Sequence, residues 1–154
     1  MGFSSDEICV RFFTVEDVKE FLETKEVELD CGYSFIINDE LSISDVEFYL
    51  FNNFKDIKKL DVTGGMFDIS IINTLKSLEK LSLPGNFITD ISPLRGMRNL
   101  EYLKLEYNDV KSLSPLYGTK NLKSVTLTGN PIVDDKEYIV KFNKDTGIRV
   151  INKK

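Results

Sequence analysis

The sequence predicts an α/β solenoid, in which short repeats stack their strands into one parallel sheet on the concave side. Three observations predict it. Three asparagines, Asn86, Asn108 and Asn130, stand 22 residues apart. Four apolar columns keep the same step: Leu78, Leu100 and Leu122; Leu81, Leu103 and Val125; Leu83, Leu105 and Leu127; Ile88, Val110 and Ile132. Helix-start signals flank this block on both sides, where a solenoid must cover its open ends.

Residues 1–53 are expected to form a helical N-terminal cap. Thr14 with Asp17 opens one helix, whose Val15, Val18, Phe21 and Leu22 recur at helical spacing. Ser44-x-x-Glu47 is a capping box ahead of a second, containing Val46, Phe48, Tyr49, Leu50 and Phe51. Between them Val27, Leu29 and Cys31 alternate, as do Phe35 and Ile37. This suggests one or two edge strands, with a hairpin turn at Cys31–Gly32 as one arrangement.

Residues 54–133 are the expected repeats. Each unit reads L-x-x-L-x-L-x-x-N-x-I. The L-x-L core is a short strand with alternate side chains turned into the coil. The asparagine falls where the chain leaves that strand. Its amide both donates and accepts, so stacked copies are expected to form a ladder satisfying backbone groups at the curve. An imperfect first copy has Ile57, Leu60 and Val62, with Gly65 in place of asparagine; its columns recover at Ile69 and Ile72. Pro93 and Pro115 occupy matching places after the turn and favour short 3₁₀ or irregular segments over a long helix.

The units Leu78–Asn99 and Leu100–Asn121, and the run NFITDISPL at Asn86–Leu94, resemble the 22-residue leucine-rich repeats of internalins and of phosphatase-regulating repeat proteins. The resemblance covers residues 55–135. It implies a right-handed leucine-rich-repeat solenoid that binds another protein.

Residues 134–154 are the expected helix-plus-strand C-terminal cap. Asp134-x-x-Glu137 opens a helix with Tyr138, Ile139 and Phe142 on one face, and because Tyr138 falls on the column of Leu94 and Leu116, this helix is expected to plug the open end of the core. Thr146-Gly147 turns the chain into a strand through Ile148, Val150 and Ile151. Together the three parts predict a single domain.

Composition narrows the function. The chain contains no histidine, which removes the commonest general base and zinc ligand. Cys9 and Cys31 are expected to be reduced core residues, which fits the cytoplasm. Residues 1–13 carry Asp6 and Glu7 where a secretory leader would be basic. No run approaches the ~20 apolar residues of a membrane span. The net charge of −5 opposes nucleic-acid binding. The expectation is therefore a monomeric protein-binding module without cofactor or metal, and an enzyme is the remote alternative.

The strand positions between core leucines must face outward, and there a partner would bind. The first row is Lys59, Lys80, Tyr102 and Ser124. The second is Asp61, Ser82, Lys104 and Thr126. The third is Thr63, Pro84, Glu106 and Thr128. Tyr102, Lys104, Glu106 and Tyr107 form the expected focus, combining aromatic rings with both charges. A competing expectation is an immunity or inhibitor protein that masks a basic toxin or enzyme. It rests on residues 1–30, which hold nine acids against three bases.

Overall fold

The computed structural model describes residues 7–11, 32–36, 58–63 and 68–153, with side chains described for 58–62, 68–70 and 72–153. Among these residues, seven strands lie in chain order in one sheet: β1 (Glu7–Arg11), β2 (Gly32–Ile36), β3 (Lys59–Thr63), β4 (Lys80–Ser82), β5 (Tyr102–Lys104), β6 (Ser124–Thr126) and β7 (Arg149–Ile151). Every neighbouring pair is parallel and the register is continuous. One row runs Ile8, Tyr33, Leu60, Leu81, Leu103, Val125, Val150.

This corrects the hairpin expected at Cys31–Gly32. Gly32 is the first residue of β2, and both neighbours of β2 run parallel to it. Parallel strands need a crossover of about a dozen residues or more. The segments 12–31 and 37–58 are long enough to supply one. The N-terminal third therefore continues the sheet, and β1, which no sequence pattern announced, forms its edge. The expected helices after Thr14 and Ser44, the strand Val27–Cys31, Gly65 and the side chains of both cysteines lie outside the described residues.

Between strands the chain returns through 3₁₀ turns at Ser70–Thr74, Ser92–Leu94, Ser114–Gly118 and Pro131–Asp134. Pro93, Pro115 and Pro131 sit at the openings of the last three, where a missing N–H leaves no partner unsatisfied. Asp68, Asp90 and Ser112 secure three entries. Asp68 Oδ1 accepts from Ser70 N at 2.8 Å, Asp90 Oδ1 from Ser92 N at 2.8 Å, and Ser112 Oγ from Ser114 N at 3.2 Å. The Ser70 hydroxyl and amide hold the Asp68 carboxyl below its ordinary pKa.

The core is continuous from Leu60 to Ile148 and contains every leucine column named above. Thr119 falls on the buried column of Leu75 and Met97; its hydroxyl donates to Leu116 O at 2.6 Å, which makes a polar group tolerable there.

At the C-terminal end, the helix α1 spans Lys136–Thr146. Its N-cap is Asp135, whose Oδ1 accepts from Tyr138 N at 3.0 Å. The expected start at Asp134 is one residue early, because Asp134 still belongs to the preceding 3₁₀ turn. Of the expected apolar face, Phe142 fills the core: it is fully buried, stacks on Tyr138 at 6.5 Å and meets Tyr117 edge-on at 5.2 Å. Tyr138 is half-buried, and its hydroxyl accepts from Leu113 N at 3.1 Å. Gly147, at φ 72°, ends the helix in the left-handed region and sends the chain into β7.

Among the described residues, no helix is long and apolar enough to cross a membrane, and no cluster of three or more acidic or cysteine ligands could hold a metal.

Candidate functional site

The sheet has a buried face and an outward face. Leu81, Leu103 and Val125 are buried, whereas Lys80, Tyr102 and Lys104 are exposed. In register, the outward rows are Lys59, Lys80, Tyr102, Ser124, Arg149 and Asp61, Ser82, Lys104, Thr126, Ile151. Lys59, Asp61, Ser82 and Thr126 are half-buried. Ser124, expected to stand with them in the open, is only 8% exposed. It is the short side chain between the longer Tyr102 and Arg149, and strand neighbours are about 4.8 Å apart.

Tyr102 occupies the middle of this face and is 39% exposed. Lys80 Nζ lies 5.6 Å from its ring centroid and Lys123 Nζ 5.4 Å, so two ammonium groups brace one ring. Lys123 also donates to Glu101 Oε2 at 2.6 Å, and this bond holds its pKa above the ordinary lysine value. Lys58 pairs with Glu79 at 3.6 Å one strand-row away. The flanking row of Lys58, Glu79, Glu101 and Lys123 is thus internally neutralised.

Beyond the strand ends, Pro84, Glu106 and Thr128 are half-buried. Glu106 Oε2 is buried and, among the described residues, accepts no hydrogen bond. Tyr107 is 68% exposed and has φ 56°, in the left-handed region. The same column holds Gly85 at φ 65° and Gly129 at φ 76°. Tyrosine thus stands where adjacent repeats use glycine, at a backbone cost of about 1–2 kcal/mol. Its ring lies against Gly129, where an added Cβ would come within 2.6 Å of Tyr107 Cδ1. Phe87, at φ 57° and 56% exposed, is a second bulky left-handed residue nearby in the sequence. Sequence reasoning placed Tyr107 but could not see its strain; the missed signal is the glycine in its column one repeat before and after.

The seat of Tyr107 is testable. Gly129→Ala is expected to cost about 1–2 kcal/mol from its backbone alone plus displacement of the ring. Gly85→Ala, with nothing within 4 Å of the new Cβ, is expected to cost the backbone share only. Urea unfolding of the two variants compares them; equal losses would show that the ring does not depend on the bare glycine.

The asparagines lie behind this rim, all buried. Asn86 Nδ2 donates to Val62 O at 2.7 Å, Asn108 Nδ2 to Leu83 O at 2.8 Å, and Asn130 Nδ2 to Leu105 O at 2.6 Å. Each side chain thus reaches the strand end of the preceding coil. Asn108 Oδ1 accepts from Asn86 N at 3.0 Å and Ile88 N at 2.9 Å, and Asn130 Oδ1 from Val110 N at 2.9 Å. Their role is to join coils, so they position the outward face rather than touch a partner. A second pair does the same at the opposite corner: Asn99 Nδ2 donates to Lys76 O at 2.9 Å and Asn121 Nδ2 to Arg98 O at 2.7 Å. Their own 22-residue spacing was the available signal.

The comparisons with known proteins agree with this architecture. Residues 76–132 match the model of the leucine rich repeat family. Among solved structures, an internalin (inlF) from Listeria monocytogenes aligns with a TM-score of 0.58 and 25% identity, covering 79% of this chain and 34% of that one. Internalin C2 from the same organism aligns with a TM-score of 0.57 and 20% identity, covering 78% of this chain and 51% of that one. The chain thus spans about a third to a half of the length of these structures. No curated protein matches its sequence. Leucine-rich-repeat domains are generally protein–protein interaction modules.

Proposed function

We propose that the leucine-rich repeats of this chain form a protein-binding module whose partner docks on the outward, concave face of the sheet around Tyr102 and Lys104. The observation that carries this reading is the exposed Tyr102 ring, held centrally between Lys80 and Lys123. A braced aromatic loses little side-chain freedom when a partner covers it, which is the property of an interface anchor. The absence of histidine from the sequence favours binding over catalysis. In this reading the chain is one cytoplasmic domain, and α1 with β7 serves as the cap of its C-terminal end.

The test is capture of partners from native lysate on immobilised protein, followed by titration of the partner identified. Tyr102→Ala with Lys104→Ala is expected to weaken binding at least tenfold, since anchors of this kind are worth about 2 kcal/mol or more. Lys104 is exposed and Tyr102 gives up two cation–π contacts of about 0.5–1 kcal/mol each, so unfolding is expected to shift by only about 1–2 kcal/mol. Undiminished binding would remove the site from this face.

A second reading is an inhibitor that masks a basic toxin or enzyme with its N-terminal third. Its support is the excess of acids in residues 1–30, a segment that contributes the edge strand β1. Loss of partner capture on neutralising those acids, with the Tyr102 variant unaffected, would favour it.

A further inference from the structure

The outward face differs in charge from the protein as a whole. The chain carries a net charge of −5. Yet the outward positions of β3 to β7 hold the cations Lys59, Lys80, Lys104 and Arg149 against one acid, Asp61. Pairing explains why this excess persists. In the flanking row, Lys58 and Lys123 are matched by Glu79 and Glu101. Among the described residues, Lys59, Lys104 and Arg149 form no ion pair, and Lys80 lies over the π face of Tyr102.

We propose that this strip reads an acidic, extended segment of the partner protein, lying across the strands from Lys59 towards Arg149 with Tyr102 beneath its middle. The inference rests on the proposed docking face and names the chemistry of its occupant. From β3 to β7 there are four inter-strand steps. At about 4.8 Å each, they span about 19 Å, or about six residues of extended chain at ~3.3 Å per residue. Side chains on one face of such a segment recur at every second residue, so carboxylates at alternate positions would meet the cations. A longer polyanion such as single-stranded nucleic acid would extend beyond the six-residue strip and meet the net negative charge of the molecule.

Selection from random twelve-residue peptides displayed on yeast tests this directly. Three forms of the intact protein serve as bait: wild type, Lys104→Glu, and Lys80→Glu/Lys104→Glu/Arg149→Glu. Wild type is expected to enrich peptides of net negative charge with acids at alternate positions. Their affinity is expected to fall several-fold with the single reversal, at least tenfold with the triple, and steeply as salt is raised. Enriched peptides of neutral or positive charge overturn the proposal, as does a library that yields no binder. So does a labelled twelve-nucleotide single strand that binds more tightly than the selected peptides. If uncharged peptides are enriched and lose binding with Tyr102→Ala, the face stands as the docking site and only the acidic occupant is wrong. If binding survives both the reversals and Tyr102→Ala, the docking face itself is wrong.

Discussion

Replacing Asn108 with alanine is expected to lower the free energy of unfolding by about 3–5 kcal/mol, one of the two largest single-residue effects in the molecule. The side chain is 4% exposed and serves two coils at once. Its Oδ1 accepts from Asn86 N and Ile88 N, and its Nδ2 donates to Leu83 O and Leu105 O. Alanine would leave two buried backbone donors without acceptors, and each such orphan costs about 1–3 kcal/mol. The carbonyls are less affected, because Leu105 O keeps its bond from Asn130 Nδ2 at 2.6 Å. Asn99→Ala provides the contrast. Its single bond to Lys76 O lies at an exposed corner, and its loss is expected to cost below about 1 kcal/mol. Equilibrium urea unfolding reads both. A loss at Asn108 no larger than at Asn99 would mean that the buried ladder does not hold the coils together.

Phe142→Ala is the second large effect, expected at about 3–5 kcal/mol for loss of a fully buried ring. Its consequence should be local. In a solenoid each coil touches only its neighbours, so damage at one end frays that end first. Phe142 stacks on Tyr138 within α1 and ties the helix to Tyr117, and β7 is held to β6 by Arg149 N to Lys123 O and Leu127 N to Ile151 O. Hydrogen exchange on the variant is expected to show early loss of protection at these last two amides. Leu105 N, bonded to Thr126 O one coil inward, should stay protected longer. Simultaneous loss at all three would show that the end and the interior unfold as one unit.

The contrast between these residues explains what the sequence could reveal. The core columns were legible because one burial environment recurs at a fixed step: Leu81, Leu103 and Val125 fill equivalent places. The ladder was legible for the same reason. β1 was not legible, and β2, whose Phe35 lies in an expected strand, could not be placed as parallel, because their steps to the next strand are 25 and 27 residues and match no repeat of 22. One local signal was present, since Asn38 follows Tyr33 at the five-residue offset that separates Asn86 from Leu81. The helix start was misplaced by one residue because Asp134 and Asp135 are equivalent as sequence; only the preceding 3₁₀ turn distinguishes them.

The outward face was partly legible. Alternation within a strand places Tyr102 and Lys104 outside, and it also places Ser124 there. Accessibility then depends on the neighbours across the sheet, and these leave Ser124 8% exposed. The bracing of Tyr102 by Lys80 and Lys123 joins residues 22 and 21 apart on three adjacent coils, visible only once the register is known. The strain at Tyr107 needs the backbone angle as well as the column.

Site-specific photo-crosslinking tests the docking face most directly. A photoreactive phenylalanine derivative is placed singly at Tyr102, Tyr107, Tyr117 and Val140, all of them exposed large side chains. Tyr102 is on the outward face, Tyr107 at its rim, and Tyr117 and Val140 near or on α1. Binding through the sheet predicts partner adducts from positions 102 and 107 and none from 117 and 140. Adducts from 117 and 140 alone would contradict it and move the interface to the C-terminal helix.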